Sequence, residues 1–195
     1  MRLALFCAWS VACVSDPIFD DGGVDGGPCA DAGAPKLVFV TSTTVTGDFG
    51  MAGGDTKCND LAAAAGITGN FVAWISLGST PASSRIGWNG AYAKKGGTRI
   101  AACRSVLLGG VLASPIDQDE RGTSVTKSPV WTNTNAQGAV DRAGYDCQGF
   151  TKIIPDDGGA ASAYVGTTDA VDGRWTSTGM ALPCSEKARL YCFER

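Results

Sequence analysis

The sequence predicts an α+β domain, on three observations. One stretch carries a clear helical period. Many short β-branched and aromatic runs are separated by turn residues. The chain holds 27 glycines against a charged fraction of only 18%. Many glycines and few charges suit short strands joined by tight turns rather than long amphipathic helices. At 195 residues the chain allows one domain of roughly 150 residues plus extensions, large enough for its own core.

The chain opens on Met1-Arg2 and an apolar run from Leu3 to Ala12. That run is too short to span a bilayer, so residues 1–12 read as a signal peptide. In Ser10-Val11-Ala12-Cys13 a small residue precedes a cysteine, as at a bacterial lipoprotein processing site, and Cys13 is then the lipidation site. Serine stands where leucine is usual, and plain secretion or an uncleaved segment remain the alternatives. Residues 13–35 are a Gly/Asp-rich linker, too poor in apolar surface to offset its ordering entropy. The spacing of Asp20, Asp21 and Asp25 is not that of an EF-hand, and no closing glutamate follows.

The domain proper is expected over 36–195. Leu37-Val38-Phe39-Val40-Thr41 reads as a strand, followed by a Thr/Gly-rich loop over 42–54. A helix is expected from Asp55 or Thr56, because Cys58, Leu61, Ala62 and Ala65 share one face, with Gly66 as its stop. Phe71 to Ser76 reads as a second strand and 79–86 as a short helix. Short strands are expected near Tyr92, at Val106–Leu108, Pro129–Thr132, Ala163–Val165, Gly173–Thr176 and Arg189–Glu194, with 133–162 rich in loops. The final strand carries Cys192, and Cys184 lies just before it. A chain ending on a disulfide-bearing strand ties its end to its earlier half, which fits a compact exported domain.

Composition narrows the function. There is no histidine, which removes Ser-His and Cys-His nucleophile pairs and histidine-ligated zinc or haem. It also removes the commonest general base and argues against an enzyme. A net charge of −3 gives no global field toward nucleic acid or anionic membrane. The eight cysteines form no C-x-x-C pair, and their wide spacing suits disulfides in an oxidising compartment.

Taken in order, Cys58, Trp74-Ile75-Ser76-Leu77, Cys147, Trp175, Cys184 and Leu190-Tyr191-Cys192-Phe193-Glu194 resemble the C-type lectin-like fold. Val38-Phe39-Val40-Thr41-Ser42, Gly53-Gly54-Asp55-Thr56-Lys57-Cys58, Phe71-Val72-Ala73-Trp74, Val130-Trp131-Thr132 and Ala188-Arg189-Leu190-Tyr191-Cys192 more closely resemble a bacterial endostatin-like family of unknown function. That family includes spirochaete surface lipoproteins that bind host matrix and plasma proteins. The resemblance implies two disulfides, Cys58 with Cys192 and Cys147 with Cys184. If Cys13 is lipidated and Cys7 removed, Cys29 and Cys103 remain, either paired or as free or intermolecular thiols.

Neither carboxylate-amide triplet of the calcium-dependent lectins is present; Trp175-Thr176-Ser177 stands where one would be. The remaining metal candidates are Asp117, Asp119 and Glu120, a possible calcium set, against the commoner reading of a solvated turn. Lys94, Lys95, Arg99 and Arg104 form the one basic concentration. The endostatin-like resemblance implies that they could take a sulfated ligand, against the reading of a charged hairpin face. Trp88 and Trp175 lie beside glycines and polar residues and are candidates for ligand stacking, against burial in the core. No catalytic residue is assigned and no cofactor beyond calcium is implied. The expected function is an exported, non-catalytic binding module displayed at the cell surface, secreted or anchored to the outer membrane. Its ligand would be a protein of matrix type or a glycan; no nucleic acid is expected, and membrane contact only through a lipid. The alternatives are an extracellular carboxylate-dependent hydrolase and a structural envelope lipoprotein.

Overall fold

The computed structural model describes Cys29, residues 33–154 and residues 161–195. The signal segment, Cys13 and most of the expected linker lie outside the described residues. The strands are β1 (Lys36–Val40), β2 (Phe71–Ala73), β3 (Tyr92–Ala93), β4 (Arg99–Ala101), β5 (Pro129–Trp131), β6 (Ser162–Thr167), β7 (Ala181–Pro183) and β8 (Tyr191–Glu194). The helices are α1 (Gly50–Ala64) and the single turns α2 (Arg104–Leu107) and α3 (Cys147–Phe150), with 3-10 turns at Ala82–Arg85 and Gly173–Trp175. The molecule is thus α+β, with one helix of any length.

Five strands form a sheet in the order β2-β8-β1-β3-β4, and β5-β6-β7 form a second. The first and last strands are antiparallel neighbours, with Phe39 opposite Cys192. Residues alternate across a strand, and here both faces are buried. Val38, Val40, Val72, Tyr191 and Phe193 face one cluster with Trp74, Tyr92, Ile100, Ile116 and Trp175. Phe39, Phe71, Ala73 and Cys192 face a second with Cys58, Ala62, Trp131 and Phe150. The second side is closed by α1 and the smaller sheet. The first is closed largely by irregular chain between Ile86 and Val125.

Three disulfides join Cys58 to Cys192, Cys147 to Cys184 and Cys29 to Cys103, closing separations of 134, 37 and 74 residues. Such bonds persist in an oxidising, extracellular type of environment. Among the described residues no helix is long and apolar enough to cross a membrane.

The structure corrects several sequence expectations. Helix α1 begins at Gly50 rather than Asp55. Gly54 allows a close approach there: a Cβ on it would lie 3.2 Å from the Ala73 Cβ and 3.3 Å from the Phe49 ring, so the helix sits close on β2. Residues 106–108 are not a strand. Leu107 N donates to Cys103 O at 3.0 Å, and a helical turn buries Leu107 while Val106 stays exposed. Tertiary packing of one leucine outweighs the β-preference of one valine. Residues 173–176 form a 3-10 turn, where the Asp172 side chain accepts from Arg174 N. That turn presses on β6 so closely that a Cβ on Gly166 would stand 2.0 Å from Trp175 O. Strand β7, three residues ending in Pro183 with only Leu182 partly buried, is too short for an alternating pattern and is not expected from the sequence.

Candidate functional site

Strand β3 runs parallel beside β1 only at Lys36↔Tyr92 and Leu37↔Ala93. Beyond that point the chain 116–120 takes its place: Val40 N donates to Gln118 O at 2.9 Å, and Ser42 N to Glu120 Oε2 at 3.0 Å. This junction brings together two groups that are far apart in the sequence, the lysines of the β3–β4 hairpin and the acidic run. Lys94 Nζ is 2.7 Å from Asp117 Oδ1, with both side chains largely buried. Lys95 Nζ reaches Glu120 O at 3.4 Å. Beside them opens a cleft of about 330 Å³ lined by Pro35, Lys36, Leu37, Ala93, Lys94, Lys95, Gly96 and Gly97. Gly96 and Gly97 both adopt left-handed backbone (φ 93° and 89°), which only glycine takes without strain.

Three lysines line the cleft; Asp117 pairs with Lys94, Glu194 Oε2 accepts from Leu37 N at 2.8 Å, and Lys95 is exposed. Trp88 supports it rather than offering a free stacking face. Its Nε1 donates to Ala91 O at 3.2 Å. Gly90 lies so close that a Cβ would come within 2.6 Å of the ring, and the Lys36 ammonium sits 5.0 Å from the ring centroid. That cation–π contact holds Lys36 at the rim of the cleft.

The other basic residues are placed elsewhere. Arg99 is exposed on β4. Arg104 is tied inward, its Nε donating to Ile86 O at 3.0 Å and an Nη to Ser83 O at 2.8 Å. Trp175 is a core residue, fully buried, with its ring 5.3 Å from that of Trp74 and 5.8 Å from that of Tyr191. Stacking on a ligand is therefore replaced by aromatic packing.

The acidic triplet is likewise divided. Asp117 pairs with Lys94. Asp119 Oδ1 accepts from Arg121 N and Thr123 N, at 2.9 and 2.8 Å, and so shapes its own turn. Glu120 is buried, and its Oε2 accepts from Ser42 N while Oε1 has no partner. Among the described residues no three Asp, Glu, Cys or His side chains converge as a metal site. The expected calcium set of Asp117, Asp119 and Glu120 is therefore not assembled, because two of its members are already engaged.

Buried phenols mark the floor of this side. Burial pushes the Tyr92 hydroxyl up to about 12; Arg104 opposes that rise and Glu194 adds to it. Burial likewise holds Tyr191 well above the usual phenol range, reinforced by Asp169 and Asp117. The sequence reading missed Lys36, which stands outside the basic run, and the pair Gly96-Gly97. Two glycines after two lysines were the available signal for a tight cationic turn. It also missed Asp55 with Arg85: the Arg85 guanidinium contacts both Asp55 oxygens at 2.6 Å, and Asp55 Oδ1 also accepts from Ala73 N.

In comparison with known proteins, no family model matches this chain and no curated protein matches it.

Proposed function

We propose that this chain is an exported, non-catalytic binding module of C-type lectin-like, endostatin-like type, displayed at the cell surface for an extracellular protein or glycan. The fold reading is supported by the antiparallel pairing of the first and last strands and by the smaller sheet beside them. The Cys58–Cys192 and Cys147–Cys184 bonds support it too. The functional reading rests on one observation, the cleft between β1 and the β3–β4 hairpin with Lys36, Lys94 and Lys95 on its walls. Such a lining favours a ligand that presents acidic groups. Lys94 is the cation fixed by Asp117, whereas Lys95, on the Glu120 carbonyl, and Lys36, over the Trp88 ring, keep their charge unpaired by a carboxylate within salt-bridge distance among the described residues.

An array of neutral, uronic and sulfated glycans and of matrix proteins tests this, read at low and physiological salt. Acidic ligands should bind, and binding should weaken as salt shortens the Debye length to about 8 Å. Lys95→Glu with Lys36→Glu should reduce it by roughly tenfold or more. Binding that ignores both salt and these changes would remove the cleft from the mechanism. Turnover of a polymer abolished by one carboxylate change would replace the binding module by the hydrolase.

A further inference from the structure

One wall of the cleft is tied down by a disulfide of its own. Pro35 and Lys36 belong to that wall, and they follow a few residues after Cys29, which is bonded to Cys103. Gly33, Ala34 and Pro35 are exposed and make no hydrogen bond among the described residues. Gly33 lies loosely beside Trp88, where a Cβ would stand 3.9 Å from the ring. The first firm anchor beyond them is Lys36 N, which donates to Ala91 O at 2.9 Å. Its ammonium then sits 5.0 Å from the Trp88 ring centroid. The Cys29–Cys103 bond is thus the covalent hold on the chain that enters this wall.

This bond differs from the other two in access and in chemistry. Cys58, Cys192, Cys147 and Cys184 are each at most 1% exposed and belong to the helix-side core. Cys29 is half-buried, and neither it nor Cys103 belongs to either core cluster. Cys103 Sγ lies 3.0 Å from Ser105 Oγ. A bonded sulfur has no proton to give, so the hydroxyl donates. A thiolate attacking Cys29 Sγ therefore expels the sulfur that already meets a donor. A better leaving sulfur speeds thiol–disulfide exchange, and exposed disulfides are the labile ones. We propose that Cys29–Cys103 is a thiol-responsive latch that fixes the Lys36 wall of the cleft; as regulation, it rests on the reading of the cleft as a binding site. The reductant is a dithiol. One of its thiolates forms a mixed disulfide with Cys29, and the electron pair of the broken bond passes to Cys103 Sγ, which takes a proton from solvent. Its second thiol then displaces Cys29 as a thiol and closes the dithiol's own disulfide, so two electrons enter the protein. Freed at Cys29, the chain before β1 loses its tether, and a cleft no longer preorganised binds more weakly.

The test is a titration of the full chain with dithiothreitol, followed by alkylation and peptide mapping at each step. Cys29 and Cys103 should be alkylated first, with Cys58–Cys192 and Cys147–Cys184 still intact. Ser105→Ala should slow that first step several-fold. Lysine acetylation reads the wall without any ligand. Lys36 should become several-fold more reactive once the bond is open, whereas Lys94, held by Asp117, should not change. A Cys29→Ser/Cys103→Ser protein should label as the selectively reduced wild type does, and the reduced wild type serves where that variant does not fold. Alginate and poly-glutamate are the binding probes. Opening the latch should weaken their binding roughly tenfold, and reoxidation should restore it. Neither polymer bound by either form would count against the cleft as an acidic-ligand site, and the Lys36 result then judges the latch alone. Another disulfide opening first, Lys36 labelling that ignores the bond, or equal binding by the open and closed forms would overturn the latch.

Discussion

The two faces of the central sheet are buried alike but built differently. On the helix side the polar groups that border the core find partners. Asn59 both accepts from Phe71 N and donates to Phe71 O, at 2.9 and 2.8 Å, and Trp131 Nε1 donates to Val45 O at 2.9 Å. Asp55 answers Arg85 and Ala73 N. The Cys58–Cys192 and Cys147–Cys184 bonds both lie within this cluster. On the loop side, and in its continuation at the end of β1, lie Tyr92 OH, Trp175 Nε1, Ser42 Oγ, Gln118 Oε1 and Glu120 Oε1. These are the buried side-chain atoms without a hydrogen-bond partner among the described residues. Regular elements supply complementary partners at fixed spacing, whereas irregular chain must meet each polar group singly. The difference places the two disulfide-tied, hydrogen-bonded groups on one face and the cleft on the other, where irregular chain rather than regular elements lines it.

The largest test of this division is covalent. Replacing Cys58 and Cys192 together by alanine should cost about 5 kcal/mol of stability from loop closure alone. Both residues are fully buried, so a packing loss adds to it. Replacing Cys29 and Cys103 should cost slightly less from loop closure, about 4.4 kcal/mol, because the closed loop of 74 residues is shorter. Denaturant unfolding under oxidising conditions measures both. Equal costs would mean that the two faces are not distinct stability units. A second, smaller contrast uses carboxylates. Asp55→Asn should cost about 2–3 kcal/mol, since it breaks a pair in which Arg85 is largely buried. Glu120→Gln should cost less than that or be stabilising, because it removes a charge that is 1% exposed while an oxygen to accept from Ser42 N remains. The comparison fails if the order is reversed.

How much of this was legible in the sequence follows the same division. The helix side announces itself: Cys58 and Ala62 recur at helical spacing, and Phe39, Phe71 and Cys192 lie in runs rich in β-branched and aromatic residues. The partner of Cys58 was legible only through the resemblance, since spacing alone leaves cysteine pairing open. The loop side was misread where local preference and tertiary role part. Val106 suggested a strand although Leu107 is the residue that packs. Trp175, whose polar neighbours left both stacking on a ligand and burial open, is the centre of an aromatic cluster with Trp74, Tyr191 and Phe193. The lysines and the acidic run were both visible, but not that Lys94 meets Asp117 across 23 residues. That contact depends on where β3 leaves β1, a register that no local pattern encodes.

The smallest test is the sharpest for the loop side, because two buried tyrosines there differ in one respect. Tyr191 OH donates to Thr167 O at 3.0 Å, whereas Tyr92 OH has no partner. Tyr191→Phe should therefore cost about 1 kcal/mol at neutral pH, and Tyr92→Phe should be neutral or stabilising by up to about 1 kcal/mol. Alkali separates them further. The folded protein holds the Tyr92 proton up to about pH 12, above the ordinary phenol value of 10.0. The native state thus binds the proton more tightly than the unfolded chain does. The stability this gives is fully present below pH 10 and is lost as pH rises from there through 12. Tyr191, raised in the same direction by burial, contributes a decline of the same sign. Tyr92→Phe should accordingly flatten, without abolishing, the fall in melting temperature above pH 10, and should remove one late-titrating phenol from the tyrosinate absorbance. A Tyr92→Phe protein that is clearly less stable at neutral pH would mean that the hydroxyl has a partner, and that the loop side is as well satisfied as the helix side.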